Sequence, residues 1–113
     1  MTYPAPHIAE IVTYKLIGSA RPDTHRRAAA EMDGFLHKTG AVLSRVLSCD
    51  DDGLWTDHIL WTSKAAAEAA QQQAMQRPEF QRFFSDIDPD SCALRHAPVQ
   101  YLMDKDAQNR PPV

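Results

Sequence analysis

The order of predicted elements, β-α-β-β-α-β, places this 113-residue chain in the α+β class. The expected architecture is a four-stranded antiparallel sheet with two helices on one face. Three observations carry the prediction. Residues 41 to 62 form two apolar runs joined by an aspartate–glycine turn, a hairpin signal. Two stretches of helical periodicity flank that hairpin. A run rich in β-branched and aromatic residues opens the chain, and another apolar run closes it.

IAEIVTYKLI, residues 8 to 17, is short of turn formers and reads as the first strand. GSARP ends it, and Pro22 suits the first turn of a helix. In DTHRRAAAEMDGFLHKTG, Thr24, Ala28, Met32, Phe35 and Leu36 recur at helical spacing. His25, Arg26, Arg27, Glu31 and Lys38 are assigned to the polar side. Gly40 fits the position just past the helix end.

AVLSRVLSC alternates, with Val42, Ser44, Val46 and Ser48 on one face and Leu43, Arg45, Leu47 and Cys49 on the other. DDDG turns the chain and LWTDHILWTS returns it. Ser63 is a good helix N-cap for KAAAEAAQQQAMQ, whose alanines favour helix strongly. Pro78 stops or kinks that helix and starts a shorter piece, PEFQRFFSDI. ALRHAPVQYLM is the last strand, and Pro98 marks it as an edge or a bulge. The single domain is expected over residues 1–103, with 104–113 a polar, flexible tail.

Bulk properties exclude several classes. Twelve Lys and Arg against 15 Asp and Glu leave a net charge of −3, with no basic patch for nucleic acid. No apolar run approaches the roughly 18 residues of a membrane span. MTYPAPHIAE shows no signal peptide, so a cytoplasmic protein is expected. Cys49 and Cys92 then read as free, partly buried thiols. The five histidines show neither HxH nor HExxH spacing, and no metal or cofactor is expected.

Both faces of the hairpin are apolar, yet helices cover only one face of such a sheet. Val42, Val46, Leu54 and Leu60 fall on one side; Leu43, Leu47, Trp55, Ile59 and Trp61 on the other. A wet face should alternate with polar residues. A homodimer packed sheet to sheet is therefore expected.

The opening strand EIVTYKL, the hairpin with its DG turn, LWTSKAAAEAA and the closing LRHAPV occur in this order. Together they resemble the dimeric α+β barrel superfamily, and within it the antibiotic-biosynthesis-monooxygenase-like domains. The resemblance spans about residues 8 to 101. It implies a pocket between sheet and helices, and a function among cofactor-free oxygenases of aromatic compounds, small lyases and isomerases, or proteins of no known activity. The haem-degrading branch carries an asparagine on the first strand and a tryptophan and a histidine on the second helix. This chain has none of the three at those places.

With the hairpin closed at DDDG, Arg45 and Asp57 become diagonal neighbours on the face that holds Trp61. Their ion pair either orients a polar group of a bound aromatic molecule or is a cross-strand bridge beside a core tryptophan. His58 points the other way. His96 is a candidate proton acceptor for a phenol or enol, or a hydrogen-bonded structural histidine. Trp61, Tyr14, Phe35, Phe83 and Phe84 are the candidate pocket walls.

Two functions follow. One is a small cofactor-independent monooxygenase-like protein acting on or binding an aromatic, enolisable molecule, with His96, Asp57 and Arg45 as its polar groups. The other is a non-catalytic dimeric ligand-binding or stress-related domain. The small side chains of Ala65, Ala66, Ala67, Ala69, Ala70 and Ala74 bear on the choice. They either bring their helix tight against the sheet or leave a cavity beside it.

Overall fold

The computed structural model describes residues 7–103. Strands β1 (Ile8–Tyr14), β2 (Val42–Cys49), β3 (Trp55–Trp61) and β4 (Ala93–Pro98) form one sheet in the order β2-β3-β1-β4. Every neighbouring pair is antiparallel. Helices α1 (Pro22–Glu31) and α2 (Asp33–Lys38) follow β1, and α3 (Lys64–Ala74) and α4 (Pro78–Ser85) follow β3. A turn of 3₁₀ helix at Pro89–Ser91 leads into β4. This is the ferredoxin-like arrangement expected from the element order. The proposed tail, 104–113, lies outside the described residues.

Period-two geometry puts Ile8, Glu10, Val12 and Tyr14 of β1 on the helix side, opposite Trp61, Ile59, Asp57 and Trp55 of β3. Apolar residues of that face pack with Ala28, Ala29, Met32 and Leu36 of the first helical layer and Ala67, Ala70 and Phe83 of the second. Turn chemistry follows the sequence closely. Gly40 and Gly53 adopt φ of 67° and 82°, the left-handed region that glycine enters without steric cost. The Ser63 hydroxyl accepts from the Ala66 amide and caps α3. Pro98 closes β4, which is an edge strand.

Several expectations need correction. The first helix is two pieces, broken at Met32, where Asp33 and Gly34 weaken the helix. Its buried stripe is His25, Ala28, Ala29, Met32 and Leu36; Thr24 is exposed, whereas His25 is wholly buried. Strand β1 ends at Tyr14. Residues 15–17 turn to a second partner: the Ile17 amide donates to the Asp86 carbonyl, and the Asp88 amide to that of Lys15, each at 2.9 Å. Strand β4 ends at Pro98, short of Met103.

The hairpin also departs from strict alternation. Val42 pairs with Trp61 but Ser44 pairs with Leu60, so one extra residue bulges out at Leu43. The bulge turns Val42 toward the core and leaves Leu43 exposed. Beyond it the expected register holds, with Cys49 opposite Trp55. Cys49 is exposed rather than partly buried.

Candidate functional site

Between the helix face of the sheet and the helices lies a cavity of about 100 Å³. Its origin is the composition of α3. Ala67, Ala70 and Ala74 recur at helical spacing on the buried side and line the cavity. Where larger side chains would close the gap to the sheet, methyl groups leave it open. Ile59 and Trp61 form the sheet side, and Phe35, Phe80, Phe83 and Phe84 are the aromatic walls. Phe84 and Leu94 are about half exposed and mark the mouth.

Four polar residues of the strands bear on this apolar space, and they differ in what they have left to offer. Arg45 and Asp57 form a two-pronged ion pair, Nε to Oδ1 at 3.0 Å and Nη2 to Oδ2 at 2.8 Å. Arg45 Nη1 donates to the Ala29 carbonyl at 2.8 Å, and the guanidinium lies 5.6 Å from the Phe83 ring centre. Burial works to lower the arginine's pKa, but the hydrogen bonds and charge of Asp57 outweigh it and the value ends raised. The pair lines the cavity, and three of the five guanidinium N–H groups tie β2 and β3 to α1. It is a brace.

Glu10 and Trp61 are less committed. Glu10 is a nearly buried acid in an otherwise apolar strand, and it lines the cavity. Its Oε1 accepts from His96 Nε2 at 3.0 Å across the β1–β4 ladder. Among the described residues that is the carboxylate's one hydrogen bond. The indole Nε1–H of Trp61 is buried and has no partner. A buried donor left unpaired costs roughly 1–3 kcal/mol, which an acceptor brought beside it would relieve. Trp61 and Glu10 are diagonal neighbours on one face, since Ile8 pairs with Trp61 and Glu10 with Ile59.

The remaining candidates divide clearly. Phe35, Phe83, Phe84 and Trp61 line the cavity, as do Arg45 and Asp57. His96 stands behind Glu10 on the edge strand and does not itself line the space. Tyr14 is fully buried away from it. Its hydroxyl donates to His25 Nε2 at 2.6 Å, and His25 Nδ1 meets Asp86 Oδ2 at 3.1 Å. A carboxylate can only accept, so Nδ1 carries a proton, and in the neutral imidazole Nε2 is the acceptor for the tyrosine. Burial, with the Asp57 charge second, raises the Tyr14 phenol well above its ordinary range. His25 stacks on Phe83, ring centres 4.7 Å apart, so this chain of hydrogen bonds supports a cavity wall from behind.

Glu10 and His25 were not singled out from the sequence. For Glu10 the signal is present: a lone acid at the same parity as Ile8, Val12 and Tyr14. For His25 the spacing to Ala28, Ala29 and Met32 is the signal. The partners that make its burial tolerable, Tyr14 and Asp86, are remote in sequence.

Cys92 also lines the cavity, and burial raises its thiol pKa. Among the described residues no group of three His, Cys, Asp or Glu could hold a metal ion. No helix among them is long and apolar enough to cross a membrane.

No family model matches the chain, and no curated protein is similar to it at a significant level. Solved structures are similar. A variant of SnoaB, a cofactor-independent oxygenase from Streptomyces nogalater, superposes with a TM-score of 0.72 at 13% identity, covering 89% of this chain and 100% of that one. A candidate antibiotic biosynthesis monooxygenase from Bordetella bronchiseptica gives 0.69 at 13% identity, over 87% and 99% of the two chains. A dimeric ferredoxin-like protein of unknown function from a Jannaschia species gives 0.64 at 16% identity, over 82% and 99%. The shared feature at such identities is the fold, which is that of the antibiotic-biosynthesis-monooxygenase-like structures.

Proposed function

We propose that the cavity binds a small aromatic, enolisable compound and that the protein acts on it as a cofactor-independent monooxygenase-like enzyme. The observation that carries this reading is the composition of the cavity. It is apolar and aromatic on nearly every side, with one unpartnered indole N–H and two carboxylates on the sheet, of which Asp57 is paired with Arg45 and Glu10 with His96. Ligand sites of this kind orient an apolar molecule with few polar contacts.

The chemistry asks little of the protein. Once the ligand loses a proton, its carbanion or enolate can pass electrons to dioxygen directly. Oxidation of a ring methylene to a carbonyl consumes one O₂ and releases one water. Binding, proton removal and exclusion of water are then the protein's contribution. Apolar walls serve the first and last, and Glu10 with His96 is the polar group available for the second. Fold likeness to a cofactor-independent oxygenase agrees with this but does not carry it.

The reading includes a homodimer packed through the uncovered sheet face. One row across that face runs Val46, His58, Ile11, Arg95, and Val46 is 60% exposed. The Jannaschia protein of the same fold is described as dimeric. Sedimentation should give twice the chain mass, and Val46→Asp should reduce it to one.

The test of function is tryptophan fluorescence during titration with a quinol, an anthrone, a flavonoid-like phenol and haemin. Saturable quenching by one class, lost in Trp61→Phe, followed by oxygen uptake with that ligand, is the expected result. A folded protein that binds a ligand without consuming oxygen would instead be a non-catalytic binding domain.

A further inference from the structure

We infer that the cavity takes its ligand as a neutral, protonated hydroxyl compound with a single ring, its O–H donated to the free oxygen of Glu10. This rests on the reading of the cavity as a ligand site and names the form of ligand it selects.

Three features lead there. Volume comes first: an engineered apolar cavity of roughly 150 Å³ holds a benzene ring, and the space here is about 100 Å³ with a mouth at Phe84 and Leu94. The space is thus smaller than the benzene-sized one, and a single ring is the largest group it takes, with part of the ring or its substituent in the mouth.

Polarity comes second. Glu10 Oε1 is occupied by His96, and that bond fixes the carboxylate across the β1–β4 ladder. The second oxygen has no partner among the described residues, and a carboxylate oxygen accepts hydrogen bonds only. A ligand group that meets it must bring the hydrogen. Trp61 Nε1–H, unpartnered on the same face, needs the opposite: an acceptor on the ligand. A hydroxyl on one side and a carbonyl, ether or second hydroxyl oxygen on the other satisfies both.

Charge comes third. Arg45 is the only arginine or lysine among the lining residues, and it is already paired with Asp57. An anionic ligand would face the Glu10 carboxylate with no unpaired arginine or lysine in the lining, in a cavity where apolar walls weaken screening. The neutral form is therefore bound in preference to its anion. His96 acts through Glu10, as a positioning residue.

The probe is 4-nitrophenol, a single-ring phenol whose ionisation near neutrality is visible in its colour. Its methyl ether, 4-nitroanisole, has the same ring and cannot donate. Bound to the wild-type protein, the phenol should ionise at a pH about 1–2 units higher than in free solution, since the anion lies against a like charge. Glu10→Gln should abolish that shift while preserving an oxygen for His96. His96→Phe should shrink the shift, and His96→Asn, which retains an N–H donor, should restore it.

The ether comparison needs no variant and so does not depend on how any substitution folds. The wild type should bind 4-nitroanisole at least about tenfold more weakly than the neutral phenol, because the carboxylate is left without its hydrogen. Equal binding of phenol and ether, or an unshifted ionisation, overturns this inference and leaves the cavity reading intact. If neither compound binds, the cavity reading fails and this inference with it.

Discussion

Replacing Ala70 by leucine should make the protein more stable and stop it binding. Ala70 is buried on α3 and its methyl group faces the cavity. An isobutyl group there enters space that is now empty. Two independent estimates agree on the scale. At ~0.8 kcal/mol per buried carbon, the added carbons contribute ~2.4 kcal/mol. At ~24 cal/mol per Å³, filling the cavity volume of about 100 Å³ recovers ~2.4 kcal/mol as well. These count the same gain in two ways and are not additive. Side-chain ordering costs about 0.5–1 kcal/mol, and some carbons will lie near the open mouth. The expected net gain is about 1–2 kcal/mol, a rise in Tm of roughly 4–8 °C for a domain of this size. Urea denaturation followed by far-UV circular dichroism measures it without relying on the tryptophans. Fluorescence titration of the same variant should show no saturable quenching by any compound that binds the wild type. If Ala70→Leu instead destabilises by 1–3 kcal/mol, α3 lies tight on the sheet, overpacking is the cause and the cavity argument is refuted.

Two further predictions concern the groups around the cavity. Asp57→Ala strands a buried guanidinium and should cost about 3–5 kcal/mol by urea denaturation, whereas Arg45→Met combined with Asp57→Leu should recover most of it. A loss below about 1 kcal/mol would mean that the pair behaves like an exposed one. The pKa of Tyr14 is raised by folding, so its contribution to stability is whole below about pH 10, where the unfolded phenol ionises, and is lost as pH rises further. Above that pH the unfolded chain has released a proton that the native chain retains, and the slope of stability against pH is negative. Tyr14→Phe should lower the urea midpoint at pH 7 by the cost of an unpaired His25 nitrogen, and the gap to wild type should narrow above pH 10. A gap that stays constant with pH would contradict the assignment.

Local chemistry in the sequence determined the element order, and with it the topology. Turn residues such as Gly40 and Gly53, the Ser63 cap and the Pro78 break each act within a few positions of themselves, so they are legible one at a time. The diagonal pairing of Arg45 with Asp57 was legible for the same reason: hairpin register follows from its turn, and the pair lies within that hairpin. Alanine spacing along α3 announced that either contact or space would be found there, without saying which.

Tertiary structure alone decided the rest. Whether α3 lies close to the sheet is decided by packing, and Phe80, Phe83 and Phe84 come to line the space beside Ala67, Ala70 and Ala74. The burial of His25 depends on Tyr14 and Asp86, brought to it from β1 and from the segment after α4. Glu10 is a lone acid in an apolar strand until β4 arrives with His96, which is 86 residues away in the chain. One extra residue at Leu43 turns Val42 to the core, because side-chain direction in a strand has a period of two and a single insertion inverts it. A sequence states which residues are chemically able to meet. Long-range packing selects which of them do, and here it joined Arg45 to Asp57 and Glu10 to His96 and left the Trp61 indole N–H unpartnered.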